Sequence, residues 1–164
     1  MAEPIHNIAV TAADINIHNI AVISFPRTAS KTLATWYANK FDKIAAHGIL
    51  HQPEYYGFSD YTSTDMRKIV FECTHVLHGH WHTLDMLDKD IIKFIKDNYK
   101  IVSAHRESNL VFESLNEITN KPEIIAGLIE KTNAEKANWD IWKHHLIDGD
   151  ISTIDAPGPD SNLI

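Results

Sequence analysis

The sequence has few of the features that would assign it directly to a class of protein. Cys73 is the single cysteine among 164 residues, so no disulfide forms within the chain, and this low content is typical of a reducing compartment. No apolar run approaches the roughly 20 residues that a membrane-spanning helix requires, and no basic leader precedes an apolar block near residue 1. We therefore expect a cytoplasmic protein with no membrane partner.

Basic residues are also scarce relative to acidic ones. The chain has 15 Lys and Arg against 22 Asp and Glu, which gives a formal net charge of −7. This balance argues against a nucleic-acid partner or an anionic membrane surface, so any anion site must be a local basic pocket. A content of 44% hydrophobic and 23% charged residues over this length predicts one globular domain.

We assign that domain to residues 19–147. Residues 1–18 are interpreted as an N-terminal extension or an edge strand, because the hexapeptide at 5–10 recurs at 17–22 and only the second copy leads into the rest of the domain. Two copies are too few for a repeat protein. Residues 148–164, rich in Asp and Pro, are interpreted as a flexible acidic tail.

Strand and helix patterns alternate between these two ends. Strands are expected from Ile20, within 67–79 and at 99–104. Helices are expected from Ser30 to about Ala46, from a Thr83 cap to about Asn98, after Ser108, from Pro122, and from Asn133 through Trp142 and Leu146. Residues 48–65 are expected to be mostly loop. This alternation predicts an α/β fold, in which a parallel β-sheet is flanked by helices in three layers. Ligands then bind at the carboxyl ends of the strands.

The segment 26–32, Pro-Arg-Thr-Ala-Ser-Lys-Thr, follows the first strand and opens the first helix. Unpaired N–H groups and the positive dipole end of a helix make such a turn suitable for an anion. Ser30-Lys31-Thr32 fits the end of the triphosphate motif G-x-x-x-x-G-K-[ST], but Phe25 and Ser30 replace its two glycines. A tight wrap around a β-phosphate is therefore not expected.

Two further stretches carry candidate chemistry at later strand ends. Arg106 follows the third strand and Ser114 lies eight residues on, so that both would reach a phosphate lying along the helix start. His78-Gly79-His80 ends the second strand, and an imidazole that titrates near neutral pH is suited to accept a proton from a hydroxyl.

Taken in order, these stretches resemble the sulfotransferases that use 3′-phosphoadenosine-5′-phosphosulfate (PAPS). Residues 26–30 are similar to the 5′-phosphosulfate loop, Arg106 and Ser114 to the family's R-D-P-x-x-x-x-x-S pattern, and residues 78–80 to the His-Gly-His of the heparan sulfate 2-O-sulfotransferase branch. The resemblance covers roughly residues 19–119. It implies a compact version of the P-loop NTPase-like sulfotransferase fold. Departures from the family pattern are Ala29, Lys31 and Glu107-Ser108.

The resemblance also implies roles for individual residues. The donor PAPS, and 3′,5′-adenosine bisphosphate (PAP) as product, would be held by Arg27, Thr28, Ala29, Ser30, Lys31, Thr32, Arg106 and Ser114. Arg27 would in addition stabilise the leaving phosphate oxygen. His80, with His78 as second choice, would be the general base. The acceptor would be a small or carbohydrate-like molecule bearing a hydroxyl or an amine, and no metal is required.

Other interpretations of the same residues stay open. Lys31-Thr32 is compatible with a nucleotide kinase or triphosphatase, and the whole chain with a non-catalytic nucleotide-binding module. His78, His80 and His82 alternate along an extended segment, as three zinc ligands on one strand face would. Cys73 is interpreted as a small core residue within a strand.

Overall fold

The structure is a computed structural model that describes residues 19–50, 61–106, 108–147 and 150–159, with the backbone alone described from residue 142 onwards. The expected extension or edge strand at 1–18 lies outside the described residues. Within the described part, no helix combines the length and the apolar character that crossing a bilayer would require.

The strands of the described residues form one sheet. They are β1 (Ile20–Ser24), β2 (Ile44–Ala46), β3 (His75–His80), β4 (Lys100–His105), β5 (Trp142–Ile147) and β6 (Asp150–Pro159). Their order across the sheet is β2-β3-β1-β4-β5-β6. Neighbours from β2 to β5 pair in parallel, and β6 pairs antiparallel to β5. The predicted parallel sheet of an α/β fold is thus confirmed, with an antiparallel strand at one edge.

Helices cover both faces of the sheet. They are α1 (Ser30–Lys40), α2 (Ser63–Glu72), α3 (Lys89–Asn98), α4 (Ser108–Asn116) and α5 (Pro122–Lys136), together with a 3₁₀ helix at Trp81–Met86. Successive side chains of a strand point to opposite faces. Ala21 and Ile23 of β1 accordingly pack in the cluster that contains α2, α3 and the 3₁₀ helix, whereas Ile20 and Val22 pack against α1.

Strand β1 is central and wholly buried, as its apolar run from Ile20 to Ile23 predicts. It lies between β3 and β4 and pairs in parallel with both. The hydroxyl of Ser24 accepts a 2.8 Å hydrogen bond from the backbone N–H of Ala104, which fixes the carboxyl end of β1 against β4. The residues that follow β1, β3 and β4 therefore meet at one edge of the sheet.

The first helix is shorter than predicted. Its apolar spacing continues to Ile44, but α1 ends at Lys40. Asp42 adopts a left-handed φ of 54°, which interrupts the helical path, and Ile44 then begins β2. The Ile44 side chain is 63% exposed, so the apparent helical position at 44 is not a buried one.

A helix was missed before β3. Residues 63–72, expected to be loop and strand, form α2, which starts with a capping box between Thr62 and Asp65. The strand expected within 67–79 is therefore confined to His75–His80. Cys73 ends α2 with a left-handed φ of 56°. It is partly buried against the core, so its predicted place within a strand is wrong.

The later helices differ in their limits from the prediction. The expected helix from Thr83 to Asn98 is divided into the 3₁₀ helix and α3, because Leu87 and Asp88 are extended between them. Asn133 lies inside α5 and caps no new helix. The predicted helix through Trp142 is wrong, since residues 142–147 pair with β4 as β5.

The end of the chain also contains a strand. Residues 150–159, interpreted from sequence as part of a flexible acidic tail, form β6 and pair with β5 across residues 142–147. Backbone hydrogen bonding to a neighbouring strand stabilises this segment in spite of its acidic and proline content. The rest of the expected tail, 148–149 and 160–164, lies outside the described residues.

Candidate functional site

A cavity of about 750 Å³ opens at the carboxyl ends of β1, β3 and β4. This is the position where the strand order of an open α/β sheet leaves a crevice for ligands. Its lining consists of Arg27, Ala29, Ser30, Lys31, His47, Gly48, His78, His80, Arg106 and Ser114. The residues expected to hold the donor or to act as the base are therefore all in the lining, except Thr28 and Thr32.

The backbone of the 26–32 segment has an unusual conformation. Arg27 and Ala29 both have left-handed φ angles, 66° and 63°, although neither is a glycine. Such strain costs about 1–3 kcal/mol per residue and concentrates at functional sites. Left-handed residues also occur in nests, where backbone N–H groups converge on an anion. Phe25 and Ser30, at the glycine places of the triphosphate motif, do not have this conformation.

The first turn of α1 faces the cavity without a carboxylate. Ala29 is the N-cap, no side chain caps the helix, and no acidic residue lies in its first turn. The first N–H groups of a helix have no partner within it, so Ser30 and Lys31, which line the cavity, begin a helix end suited to a negative charge.

Thr28 stabilises the turn and does not line the cavity. Its hydroxyl donates a 2.8 Å hydrogen bond to the carbonyl of Phe25, and its side chain is 1% exposed. This hydrogen bond stabilises the turn and gives the buried hydroxyl the partner that it needs. The Thr28 side chain is therefore outside the lining, and its contact with the donor stays a prediction. Thr32 is half-buried in α1, outside the lining.

Arg27, Arg106 and Ser114 are in direct contact. Nε of Arg27 donates a 2.7 Å hydrogen bond to Oγ of Ser114, and Nη1 of Arg106 donates a 3.1 Å hydrogen bond to the carbonyl of Arg27. Nε of Arg106 is buried, with no hydrogen-bond partner among the described residues. A buried, charged donor of this kind is expected to have a partner, so this Nε is an unsatisfied group beside the cavity that Arg106 lines.

His78 joins β3 to the start of α1. Its Nε2 lies 2.8 Å from Oγ of Ser30, and its Nδ1 accepts a 2.9 Å hydrogen bond from the backbone N–H of Gly48. The side chain is 3% exposed. The next residue but one, His80, is half-exposed at the end of β3 and lines the same cavity.

The imidazoles of this region form a contiguous series. Ring centroids lie 5.8 Å apart between His47 and His78, 5.5 Å between His78 and His80, and 5.7 Å between His80 and His82, which are stacked. The extended segment ends at His80 and His82 lies in the 3₁₀ helix, so the expected strand face with three imidazoles is not formed. Among the described residues, no group of three His, Cys, Asp or Glu is placed to hold a metal ion.

Burial and nearby lysines favour the neutral form of two of these rings. Burial, followed by the charge of Lys31, lowers the pKa of His47. Burial, followed by the charge of Lys131, lowers the pKa of His82 to about 4, against a smaller opposing effect of Asp85. The ring stacked on His80 is therefore uncharged near neutral pH.

The charge of the lining matches the local basic pocket expected from sequence. Arg27, Lys31 and Arg106 are cationic, and the described lining contains no carboxylate. A concentration of cations in a protein with a net charge of −7 selects for an anionic ligand.

Sequence reasoning missed two residues of the lining, His47 and Gly48. Neither residue belongs to a motif in the sequence. Their place in the cavity depends on β2 pairing with β3, which brings the chain after Ala46 beside His78. The one local signal in the sequence is the glycine at position 48, because glycine favours the left-handed conformation that Gly48 adopts with a φ of 74°.

Comparisons with protein-family models, with curated proteins and with solved structures find no match to this chain. The chemistry of the cavity is therefore the basis on which a function is assigned.

Proposed function

We propose that this protein is a sulfotransferase that transfers a sulfuryl group from PAPS to a hydroxyl, or an amine, of a small or carbohydrate-like acceptor, with the compact sulfotransferase variant of the P-loop NTPase-like fold. One observation carries the proposal: the 26–32 segment, the Arg106–Ser114 pair and His80 border the same cavity. These stretches lie far apart in sequence, and the resemblance that links them requires their convergence.

The lining fits a donor that has phosphate at both ends. Arg27, Ala29, Ser30 and Lys31 surround the start of α1, where N–H groups and cations would hold the 5′-phosphosulfate. Arg106 lines the same cavity, and its guanidinium charge suits a second anion such as the 3′-phosphate. Ser114 would add a hydroxyl donor there.

His80 is the residue that would remove the acceptor proton. The bound donor supplies the sulfuryl group, and the acceptor oxygen must lose its hydrogen to an imidazole nitrogen as it attacks. His80 is half-exposed in the cavity, and the neutral His82 stacked on it adds no positive charge to oppose its protonation. Arg27 and the N–H groups of the α1 start would stabilise negative charge on the departing phosphate.

A nucleotide kinase or triphosphatase is the second candidate, because Lys31 lies in the lining beside Ser30. That chemistry uses Mg²⁺ held in part by a carboxylate. The described lining has no acidic residue, and the left-handed residues are 27 and 29, which differ from the glycine places of the triphosphate motif. Both observations favour the sulfotransferase.

Calorimetric titration with PAP and, separately, with ATP and Mg²⁺ tests the proposal. We expect PAP to bind more tightly by at least tenfold, since Arg106 and Ser114 would contact a 3′-phosphate that ATP lacks. A preference for ATP with Mg²⁺ would refute the sulfotransferase assignment and support the second candidate.

His80→Ala then separates an enzyme from a non-catalytic nucleotide-binding module. We expect the variant to keep its affinity for PAP and to lose PAPS consumption, assayed with a panel of phenols, alcohols and sugars. His75→Ala is the matched control, because His75 lies at the opposite end of the same strand. If wild type binds PAP but consumes no PAPS with any acceptor, the module is the better description.

A further inference from the structure

We infer that His78 is a positioning residue: as a neutral imidazole with its proton on Nε2, it orients the Ser30 hydroxyl as a hydrogen-bond donor to the anion in the cavity. The inference rests on the proposed function insofar as that anion is the phosphosulfate of the donor. It gives the two histidines of the His-Gly-His sequence different roles and removes His78 as an alternative base.

The tautomer follows from the partner of Nδ1. The backbone N–H of Gly48 can only donate, and it lies 2.9 Å from Nδ1, so Nδ1 is unprotonated and accepts. A neutral imidazole carries its single hydrogen on the other nitrogen. Nε2 therefore donates to Oγ of Ser30 across 2.8 Å. A charged imidazolium would place two N–H groups face to face at Gly48.

The same geometry excludes a nucleophilic serine. A Ser–His pair acts as a nucleophile when the histidine nitrogen accepts the hydroxyl proton. Here Nε2 already carries a proton, so it cannot remove that of Ser30. The short contact between Ser30 and His78 is thus not a hydrolase dyad, although Ser30 begins a helix directly after a strand–turn.

The consequence for Ser30 concerns the direction of its hydrogen. A serine hydroxyl has one hydrogen and two lone pairs. Because His78 donates to one lone pair, the hydroxyl hydrogen cannot point at Nε2 and is left to donate elsewhere. Ser30 lines the cavity at the first turn of α1. An anion there would accept this hydrogen together with the N–H groups of the helix start.

The position of His78 does not depend on a ligand. Its carbonyl accepts from the backbone N–H of Leu50 at 3.1 Å, while its ring accepts from Gly48. The neighbouring Gly79 has no side chain, and a Cβ there would lie 2.5 Å from Cβ of Leu50. The chain from Gly48 to Leu50 is therefore held closely along β3, and the imidazole is fixed before any anion arrives.

The first test is NMR on the wild-type chain labelled with ¹⁵N in its histidines, with His78→Phe to assign the signals of His78. We expect a protonated Nε2 and an unprotonated Nδ1. An Nδ1–H tautomer or an imidazolium at neutral pH would overturn the inference, whatever the protein binds.

The second test measures the affinity for inorganic pyrophosphate in four variants. His78→Gln, whose amide reaches the place of Nε2, keeps a donor to Ser30, so we expect affinity within about threefold of wild type. Three variants should each bind pyrophosphate roughly tenfold more weakly, which is the usual contribution of one hydrogen bond to a charged group. They are His78→Asn, whose amide reaches only the place of Nδ1, His78→Phe and Ser30→Ala. Thermal unfolding of each variant checks that it folds.

The double variant His78→Phe/Ser30→Ala decides whether His78 acts through Ser30. We expect it to lose no more than either single variant, because residues that act through one another are not additive. Additive losses, or an equal loss in His78→Gln and His78→Phe, would overturn the inference, since a merely structural histidine would behave so. Failure of wild type to bind pyrophosphate would also overturn it.

The two proposals fail in distinguishable ways. If wild type binds pyrophosphate with this variant pattern but has no preference for PAP, the sulfotransferase assignment fails and the role of His78 stands. If PAP binds and PAPS is consumed, but His78→Asn and His78→Gln behave alike, the assignment stands and the role of His78 fails.

Discussion

The guanidinium Nε of Arg27 donates a 2.7 Å hydrogen bond to the hydroxyl of Ser114, a residue 87 positions later in the chain. The contact joins the turn after β1 to the second turn of α4. Arg106 donates to the carbonyl of Arg27 as well. The two groups of residues predicted from sequence for the two ends of the donor are thus directly linked.

This link predicts that Arg27 and Ser114 contribute to ligand affinity as a pair. We expect Arg27→Ala to weaken PAP binding roughly 10- to 100-fold, because it removes a charge-assisted contact, and Ser114→Ala roughly 3- to 10-fold. The double variant should lose less than the product of the two, since each residue orients the other. Isothermal calorimetry measures all three.

Lys68→Ala is the control for charge removal in general, because Lys68 is exposed on α2, outside the cavity lining. We expect it to bind PAP as wild type does. Strict additivity of the Arg27 and Ser114 losses would show that their hydrogen bond has no part in binding.

The left-handed conformation of Ala29 leads to a prediction about stability. An L-residue with φ of 63° is strained by about 1–2 kcal/mol, and glycine relieves that strain while it raises the entropy of the unfolded chain. We expect Ala29→Gly to leave the free energy of unfolding unchanged or to raise it by up to about 1 kcal/mol. Urea unfolding measures this difference.

Ala134→Gly is the matched control for Ala29→Gly. Ala134 is exposed and lies within α5, where glycine destabilises a helix by about 1 kcal/mol. Equal destabilisation by both substitutions would contradict the strain assigned to residue 29.

Much of the central sheet was predictable because its signals are local. The apolar run of β1 and the residues that begin α1 are short, continuous stretches, so they can be recognised without knowing their partners in the fold. The same is true of β4 and the start of α4. The residues at the ends of these strands converge, because parallel strands carry their carboxyl ends to one edge. Residues named from sequence therefore line one cavity, although their roles in catalysis stay predictions.

The elements that sequence reasoning missed depend on long-range pairing. Residues 142–147 have apolar spacing that suits a helix, and they form β5 only because β4 offers an unpaired edge. Residues 44–46 likewise continue a helical pattern, but they pair with β3. The α2 helix is a different case, since its capping box at Thr62 and Asp65 is a local sequence signal for a helix start.

Gly79 provides a prediction about the packing behind the two cavity histidines. We expect Gly79→Ala to lower the free energy of unfolding by about 1–3 kcal/mol, the usual cost of overpacking a core, because the new Cβ would lie 2.5 Å from Cβ of Leu50. Gly127→Ala is the control, since nothing lies within 4 Å of a Cβ there. It should stabilise α5 by about 0.5–1 kcal/mol. Equal and small effects of both substitutions would contradict the close packing at Gly79.

The half-buried ring of His82 makes stability depend on pH. Burial and the charge of Lys131 lower its pKa from 6.5 to about 4 in the folded protein. Between these two pH values, the unfolded chain therefore binds more protons at this residue than the folded protein does. The contribution of neutral His82 to stability is therefore fully present above pH 6.5 and is lost as the pH falls from 6.5 to about 4.

We expect the stability of His82→Gln, measured by urea unfolding, to fall less steeply over this pH range, because glutamine cannot be protonated there. The two proteins contain the same carboxylates, so an unchanged slope would show that His82 is not held neutral. The same substitution removes the ring stacked on His80, so the pH profile of PAPS consumption in His82→Gln would show how far that neighbour affects protonation of the proposed base.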